Sequence, residues 1–178
     1  MKYVVLFFIC CTSLANSQEK YWTRSGTLTF EASMPAFEEV KATNENVTAI
    51  LNTTDGTFAA LALVKGFRFK NALMEEHFNE SYAESDSFPK AIFKGVVEGF
   101  KENNTLNNYL INVTLDFHGV TERIQNINVQ IKKLDSKLTF KGNFELNPKE
   151  FDIEIPKIVS SKIADKVIVV FEFSMVKK

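Results

Sequence analysis

The most constraining feature of the sequence is a period-two alternation of apolar and polar residues, which dominates its second half. Residues 108–117, 126–131 and 138–146 carry an apolar side chain or glycine at every second position, and residues 167–173 continue the pattern. Alternation of this kind gives a strand one apolar face and one polar face. The pattern therefore predicts an antiparallel sheet with a single buried face.

Short turn sequences separate the strands. Residues 52–56 end in Asp55-Gly56, a pair that favours the positive φ angles of tight hairpins. Further separators occur at residues 102–105, 118–120 and 133–136. Strands of about 9–12 residues joined by short turns form a meander, and a chain of this length supplies about eight of them. We therefore expect an all-β fold, an eight-stranded antiparallel up-and-down β-barrel.

One segment departs from period two. Across residues 71–82, Leu73, Met74, Phe78 and Tyr82 recur at helical steps, and Asn71 is a suitable N-cap. The spacing predicts a single short helix, which we expect to lie near one mouth of the barrel. A second short turn or helix is expected over residues 148–151.

The first 17 residues have the pattern of a signal peptide. Lys2 precedes an apolar run over residues 3–15, and small residues then precede an expected cleavage before Gln18. The run is too short to cross a bilayer of about 30 Å as a helix, although a retained anchor is the alternative. We expect an exported protein, periplasmic or secreted, with one domain over residues 18–178 and no stable membrane span.

Composition excludes several classes of function. Cys10 and Cys11 are the only cysteines and lie in the signal segment, so no disulfide is expected in the mature domain. Without Lys2, 20 basic residues stand against 22 acidic residues, a formal net charge of −2. This balance lacks the basic excess of a nucleic-acid-binding protein, so no nucleic-acid partner is expected.

The residue types that carry catalysis or bind metals are sparse. His77 and His118 are the only histidines, and the sequence has neither an HExxH run nor a G-x-S-x-G elbow. We expect His118 to make a hydrogen bond in its turn and His77 to lie on the surface of the short helix. The sequence predicts no enzyme, no metal site and no cofactor; a hydrolase would need one of these histidines in a cleft beside aligned polar partners.

The interior of the barrel has two interpretations. Phe occurs 17 times and Trp once, a bias that suits a dry interior. Eight tilted strands enclose a space just wide enough for side chains or for one slender ligand. The inward residues therefore either line a channel for a hydrocarbon chain or fill the core of a structural or stress-response interaction protein. The sequence does not decide between a monomer and a homodimer.

Basic and aromatic residues alternate over residues 65–70. One interpretation is that Lys65, Arg68 and Lys70 face an anionic lipid head group at the barrel mouth. The alternative is an ordinary strand whose basic side chains lie in water.

Three ordered motifs resemble the YceI-like family of periplasmic lipid- and polyisoprenoid-binding proteins. The first is Phe-Pro-Lys-Ala-Ile-Phe at residues 88–93, and the second is Leu-Asp-Phe-His-Gly-Val-Thr at residues 115–121. The third runs over residues 144–173, with Phe-Asp-Ile at residues 151–153 and a last strand of alternating valines. The resemblance covers most of the chain from about Tyr21, and each motif is weaker alone than the ordered set.

The resemblance implies a lipocalin-like eight-stranded barrel that holds an isoprenoid or fatty-acid-like lipid in a long apolar tunnel. From the inward positions of the strands we predict which residues line that tunnel. The predicted ligand-binding residues are Leu28, Phe30, Phe93, Ile111, Val113, Leu115, Val129, Phe140, Phe144 and Phe171.

Overall fold

A computed structural model describes residues 19–34, 37–103 and 105–178. The signal peptide predicted at residues 1–17 lies outside the described residues, so the domain boundary remains a prediction. Within the described part, strands account for most of the chain. They are β1 Lys20–Ser33, β2 Lys41–Asn52, β3 Thr57–Leu63, β4 Arg68–Phe69, β5 Lys90–Val96, β6 Leu106–Phe117, β7 Val120–Leu134, β8 Lys137–Leu146 and β9 Ile163–Lys177.

Eight of these strands close a barrel in which each neighbouring pair is antiparallel. Their order around the barrel is β1-β2-β3-β5-β6-β7-β8-β9, and β9 pairs with β1. Since each strand lies beside the next barrel strand in the chain, the topology is up-and-down, which confirms the predicted fold. The two-residue strand β4 pairs with the beginning of β2, where Ala42 lies opposite Phe69.

The alternating strand directions place the connections at two ends of the barrel. One end holds the β2–β3, β5–β6 and β7–β8 connections, together with Lys20 and Lys177. The other end holds the β1–β2, β6–β7 and β8–β9 connections and the long crossover of residues 64–89. We call this second end the mouth.

Residues at the turns adopt the conformations that their types favour. Gly56 has a φ of 72° between β2 and β3, and Asp135 has a φ of 54° between β7 and β8. His118 and Gly119 form the β6–β7 turn with φ angles of 51° and 77°. A Cβ at Gly119 would lie 2.7 Å from the Phe88 ring, so this turn needs glycine for space as well as for conformation.

The crossover contains the predicted helix at the mouth. Helix α1 covers Ala72–His77 and continues as a π-helical turn over Phe78–Tyr82. The Asn71 side chain caps α1 by accepting hydrogen bonds from the backbone amides of Leu73 and Met74, at 2.9 and 3.4 Å. The other short helices are two 3₁₀ turns, Val64–Gly66 and Pro148–Phe151, and α2 at Lys157–Ser160.

The half of the barrel away from the mouth is packed with side chains, and we call it the filled half. Its largest fully buried side chains meet in one apolar cluster. Close packing of this kind leaves few voids larger than a water molecule. The cluster includes Tyr21, Leu51, Phe58, Ile111, Val129, Leu138, Phe140, Phe173 and Met175.

A polar group of three side chains lies at the outer edge of the filled half. The Tyr21 hydroxyl donates to Glu102 Oε1 at 3.0 Å, and Lys133 Nζ donates to the same oxygen at 2.5 Å. Burial acts to raise the pKa of Glu102, but the hydrogen bonds from Lys133 and Tyr21 together hold it below its ordinary value. Burial and the nearby Glu102 carboxylate raise the pKa of Tyr21.

Candidate binding cavity

The half of the barrel next to the mouth encloses a cavity of about 620 Å³. We call this part the open half. Its walls come from the strands, the crossover and the β8–β9 connection, and nearly all of them are apolar. The lining includes Leu28, Phe30, Ala32, Val40, Val47, Ala60, Ala62, Phe67, Phe69, Phe78, Ala91, Phe93, Leu115, Phe117, Phe144, Leu146, Ile153, Ile155, Val159, Ile163, Val167, Val169, Phe171 and Phe173.

Small inward residues open the interior on the mouth side. Along β3 the buried positions are Phe58, Ala60 and Ala62, in order from the filled half to the mouth. Ala62 pairs with Ala91 on β5, and both line the cavity. Along this strand, a phenylalanine ring fills the barrel at one level. The two alanines at the next inward positions towards the mouth leave the space empty.

Aromatic rings form the floor of the cavity: Phe171 and Phe173 line it, and Phe58 and Phe140 pack directly behind them, outside the lining. Phe58 on β3 and Phe140 on β8 project from opposite sides of the barrel, yet their ring centroids lie 4.5 Å apart in an edge-to-face contact. Phe93 on β5 and Phe171 on β9 also come from opposite strands, with centroids 5.8 Å apart. Because rings from opposite walls meet, the interior is a half-length cavity and not the continuous tunnel that the resemblance implies.

Two glycines make room for the rings of this floor. A Cβ at Gly26 would lie 2.4 Å from the Phe173 ring, and a Cβ at Gly142 would lie 2.8 Å from the Phe171 ring. Both distances are shorter than van der Waals contact, so any larger residue at either position would displace a ring. The floor therefore depends on matched small and large residues on neighbouring strands.

A second aromatic cluster covers one side of the mouth. Phe78, on the π-helical turn after α1, lies 5.1 Å from Phe30, 5.3 Å from Phe69 and 5.9 Å from Phe67, measured between ring centroids. These contacts fix the crossover over the strands. Ile153, Ile155 and Val159 belong to the lining from the β8–β9 side.

A family model described as the YceI-like domain matches residues 22–175. The chain belongs to the YceI-like family. The matched segment includes the cavity, the connections at the mouth and all of the barrel except its outermost residues. The fold and the family therefore agree with the resemblance seen in the three sequence motifs.

Solved structures share the fold of this YceI-like barrel at low sequence identity. A polyisoprenoid-binding domain from Saccharophagus degradans, implicated in plant cell wall breakdown, has a TM-score of 0.76 at 13% identity and covers 89% of this chain and 98% of its own. BcnA of Burkholderia cenocepacia has a TM-score of 0.69 at 15% identity, over 84% of this chain and 96% of its own. The Campylobacter jejuni YceI protein has a TM-score of 0.62 at 14% identity, over 82% and 88%. No curated protein sequence matches the chain significantly.

Polar side chains of the YceI-like cavity lie at its rim. Glu38, Asn71, His77, Tyr82 and Lys162 are the polar or charged residues among the described residues of the lining. Asn71 donates from its side-chain amide to Glu38 Oε1 at 3.1 Å, which ties the β1–β2 connection to the crossover. The rim thus places polar atoms next to one end of a bound molecule, whereas the walls surround the rest of it with apolar side chains.

The basic residues at 65–70 are paired with carboxylates. Arg68 lies 2.9 Å from Glu75, Lys65 lies 2.5 Å from Asp86, and Lys70 binds Glu39. The hydrogen bond with Glu39 raises the pKa of Lys70 and lowers that of Glu39. These ion pairs support an interpretation in which the charges hold the crossover in place. They give less support to the interpretation that this segment faces an anionic lipid head group. Phe67 and Phe69, which alternate with the basic residues, line the cavity.

His118 joins three parts of the mouth. Its Nδ1 lies 2.8 Å from the carbonyl oxygen of Phe151, and its Nε2 lies 3.0 Å from Glu84 Oε2. The predicted hydrogen bond within the turn was therefore wrong, because the ring bonds residues on the β8–β9 connection and on the crossover. The Phe151 carbonyl can only accept, so His118 donates from Nδ1 in that bond.

Six of the ten predicted lining residues contact the cavity. They come from β1, β5, β6, β8 and β9, and whether they bind a ligand remains a prediction. The six are Leu28, Phe30, Phe93, Leu115, Phe144 and Phe171.

The other four predicted residues lie outside the cavity lining. Ile111, Val113, Val129 and Phe140 are buried in the main apolar cluster. They occupy inward positions as the alternation requires, but at levels of the barrel where rings and branched side chains fill the space. Alternation shows on which face of a strand a residue lies. It does not show how far along the barrel axis that residue lies.

Several lining residues come from the connections at the mouth, outside the eight strands of the barrel. Phe67, Phe69 and Phe78 belong to the crossover, and Ile153 and Val159 belong to the β8–β9 connection. The period-two spacing of Phe67 and Phe69 was visible in the sequence. The residues of the β8–β9 connection carried no comparable signal.

Within the part of the chain that the structure describes, no helix has the length and apolarity needed to cross a bilayer. The same described residues contain no group of three or more His, Cys, Asp or Glu side chains arranged to hold a metal ion.

Proposed function

We propose that this YceI-like protein is an exported lipid-binding protein that sequesters or carries an isoprenoid or another long-chain amphiphile in its cavity. The observation that carries the proposal is the apolar space of about 620 Å³ next to the mouth. Ligand sites are concave, mostly apolar and fitted with a few polar groups that orient the ligand. The hydrocarbon walls and the polar rim match that description.

Burial of hydrocarbon supplies enough free energy for binding. Each CH₂ group removed from water contributes about 0.8 kcal/mol, so ten groups give about 8 kcal/mol before the costs of association. Leu28 and Phe30 on β1, Leu115 on β6 and Phe144 on β8 would provide this burial from three strands of the barrel. No covalent step is proposed; among the described lining residues the titratable side chains lie at the rim, and they are Glu38, His77, Tyr82 and Lys162.

The structural neighbours and the first residues of the chain support the finer parts of the proposal. The Saccharophagus domain that shares the fold is described as polyisoprenoid-binding, which favours an isoprenoid over other amphiphiles. The apolar segment at residues 1–17 favours export to the periplasm or the medium.

Native mass spectrometry of protein purified from its own host tests the proposal directly. We expect the spectrum to contain a species with one lipid bound, and we expect the emptied protein to take up farnesol or a long-chain fatty acid. A ligand-free protein that takes up neither compound would contradict the proposal.

A matched pair of variants on β8 tests the site. Phe144 lines the cavity and Asn143 beside it is exposed on the outer face. Phe144→Asp should weaken binding by about 100-fold or more, because a carboxylate in an apolar site costs several kcal/mol to desolvate. Asn143→Asp adds the same charge on the outside and should leave binding unchanged. Equal binding by both variants would place the ligand elsewhere.

A further inference from the structure

The aromatic floor of the cavity belongs to a packed layer of rings that spans the barrel. Phe58 and Phe140 come from opposite strands and touch at 4.5 Å between centroids, and Phe173 lies against both at 5.8 and 6.4 Å. All three are buried, with relative exposures of 3% or less. Of the three, Phe173 lines the cavity and Phe58 and Phe140 lie behind it, so a chain that enters through the mouth meets a solid layer about halfway along the barrel.

The layer is built into the strands and does not rest on one mobile side chain. Gly26 lies against Phe173 so closely that its Cβ would be 2.4 Å from the ring. Phe58 also contacts Phe93, a wall residue of the cavity, at 5.8 Å between centroids. Moving one ring would force its neighbours to move, because packed interiors have few voids into which a ring can turn.

We infer that Phe58, Phe140 and Phe173 set an upper limit on the length of the hydrocarbon chain that the cavity accepts. The inference rests on the proposed function and names the ligand more narrowly. A methylene group fills about the volume of a water molecule, ~30 Å³ in the liquid, so a cavity of about 620 Å³ holds roughly 20 carbons. The ligand class is thus a single chain of that size or smaller, with its polar end at the rim.

The limit is measured with saturated fatty acids of increasing length: octanoate, dodecanoate, hexadecanoate, eicosanoate and tetracosanoate. Each is titrated below its micelle concentration against a fluorescent alkyl probe bound to the wild-type protein. Affinity should rise by up to about fourfold per methylene while the chain still fits. At eicosanoate or a shorter member it should stop rising, because further methylenes remain outside the mouth.

Two variants on β3 with the same substitution show whether the cavity itself sets the limit. Ala62→Phe adds a ring to the wall and should move the plateau to a shorter member of the series. Ala59, on the outward face of the same strand, is the control, and Ala59→Phe should leave the plateau where the wild type has it. Phe58→Ala should move the plateau to a longer member, and its folding is checked first by thermal unfolding.

The outcomes separate the length limit from the proposed function. Affinity that rises through tetracosanoate in the wild type, or a plateau that Ala62→Phe does not move, would overturn the limit while the lipid-binding function stands. No binding at any length would overturn the proposed function and the limit with it. Ala62→Phe decides the question even where Phe58→Ala does not fold.

Discussion

The filled half and the open half of the barrel are formed by the same strands, and along β3 they differ in the size of the inward side chains. Towards the filled half the inward positions of β3 and β8 carry Phe58 and Phe140, whose rings meet across the axis. Towards the mouth, β3 carries Ala60 and Ala62 instead. One alternating pattern therefore produces a packed core at one end and an empty space at the other.

The two halves differ in what their packing contributes: the filled half supplies stability, and the open half supplies a space. Side chains in the filled half make dispersion contacts on all sides and supply stability, whereas side chains that face a void lack partners on one side. The open half gives up those contacts and gains a space that a ligand can fill. The contacts of the filled half thus offset those that the open half gives up.

The largest expected difference follows from the same acidic substitution placed in each half. Phe140→Asp should unfold the protein or cost more than about 4 kcal/mol, because Phe140 is fully buried and its carboxylate would have no water and no partner. Phe144→Asp should cost less, about 2–3 kcal/mol, because it loses the contacts of its ring with Phe93 and Phe171 but places its carboxylate in the cavity, where water can reach it. Urea unfolding of both variants measures the two costs.

A stable Phe140→Asp protein would contradict the distinction between the filled half and the open half, because it would mean that water reaches the filled half. Circular dichroism of each variant before unfolding checks that the barrel is intact. The wild-type protein, measured in the same buffer, provides the reference.

A smaller difference is expected from adding bulk to each region. Ala49 is fully buried on β2 and lies outside the cavity lining, whereas Ala91 on β5 lines it. Ala49→Leu should destabilise the protein by about 1–3 kcal/mol through overpacking. Ala91→Leu should be within about 0.5 kcal/mol of the wild type, because its added carbons enter empty space. Thermal unfolding of the two variants measures both effects, and equal losses would contradict an open space at Ala91.

The connections at the mouth provide a third test. His118→Ala removes the hydrogen bonds to Phe151 and Glu84 and should cost about 1–3 kcal/mol, because the Phe151 carbonyl loses its partner. Glu84→Gln keeps an acceptor for the ring and should cost less. Hydrogen exchange should speed up in the β8–β9 connection of His118→Ala and stay unchanged in the filled half. Uniformly faster exchange would mean that His118 stabilises the whole barrel.

The smallest effect is expected at the polar edge of the filled half. Glu102→Gln should cost about 0.5–1 kcal/mol at neutral pH, the size of a partly screened ion pair. The folded protein lowers the pKa of Glu102, so the stabilisation is present above the ordinary carboxyl range and is lost as pH falls below about 4. Urea unfolding across acidic pH should therefore bring the wild type and the variant together at the acidic end. A constant difference would assign the effect to packing and not to charge.

The regular parts of the fold were predictable because each depends on local pattern. Period-two alternation identified the strands and their buried faces, and turn residues such as Asp55-Gly56 and His118-Gly119 identified the hairpins. The helix at residues 71–82 was found from its spacing and from Asn71 as its cap. The partners of His118 were not predictable, since Glu84 and Phe151 are more than 30 positions away in the chain.

The sequence by itself determined which residues face inward, because side-chain direction along a strand repeats every two residues. It did not determine whether an inward residue meets empty space or another ring, because that depends on residues from the opposite side of the barrel. Phe140 and Phe144 are indistinguishable in pattern, and only the closed barrel places one against Phe58 and the other beside the cavity. The tertiary structure therefore decided the depth of the cavity, since packing across the axis joins strands that are distant in sequence.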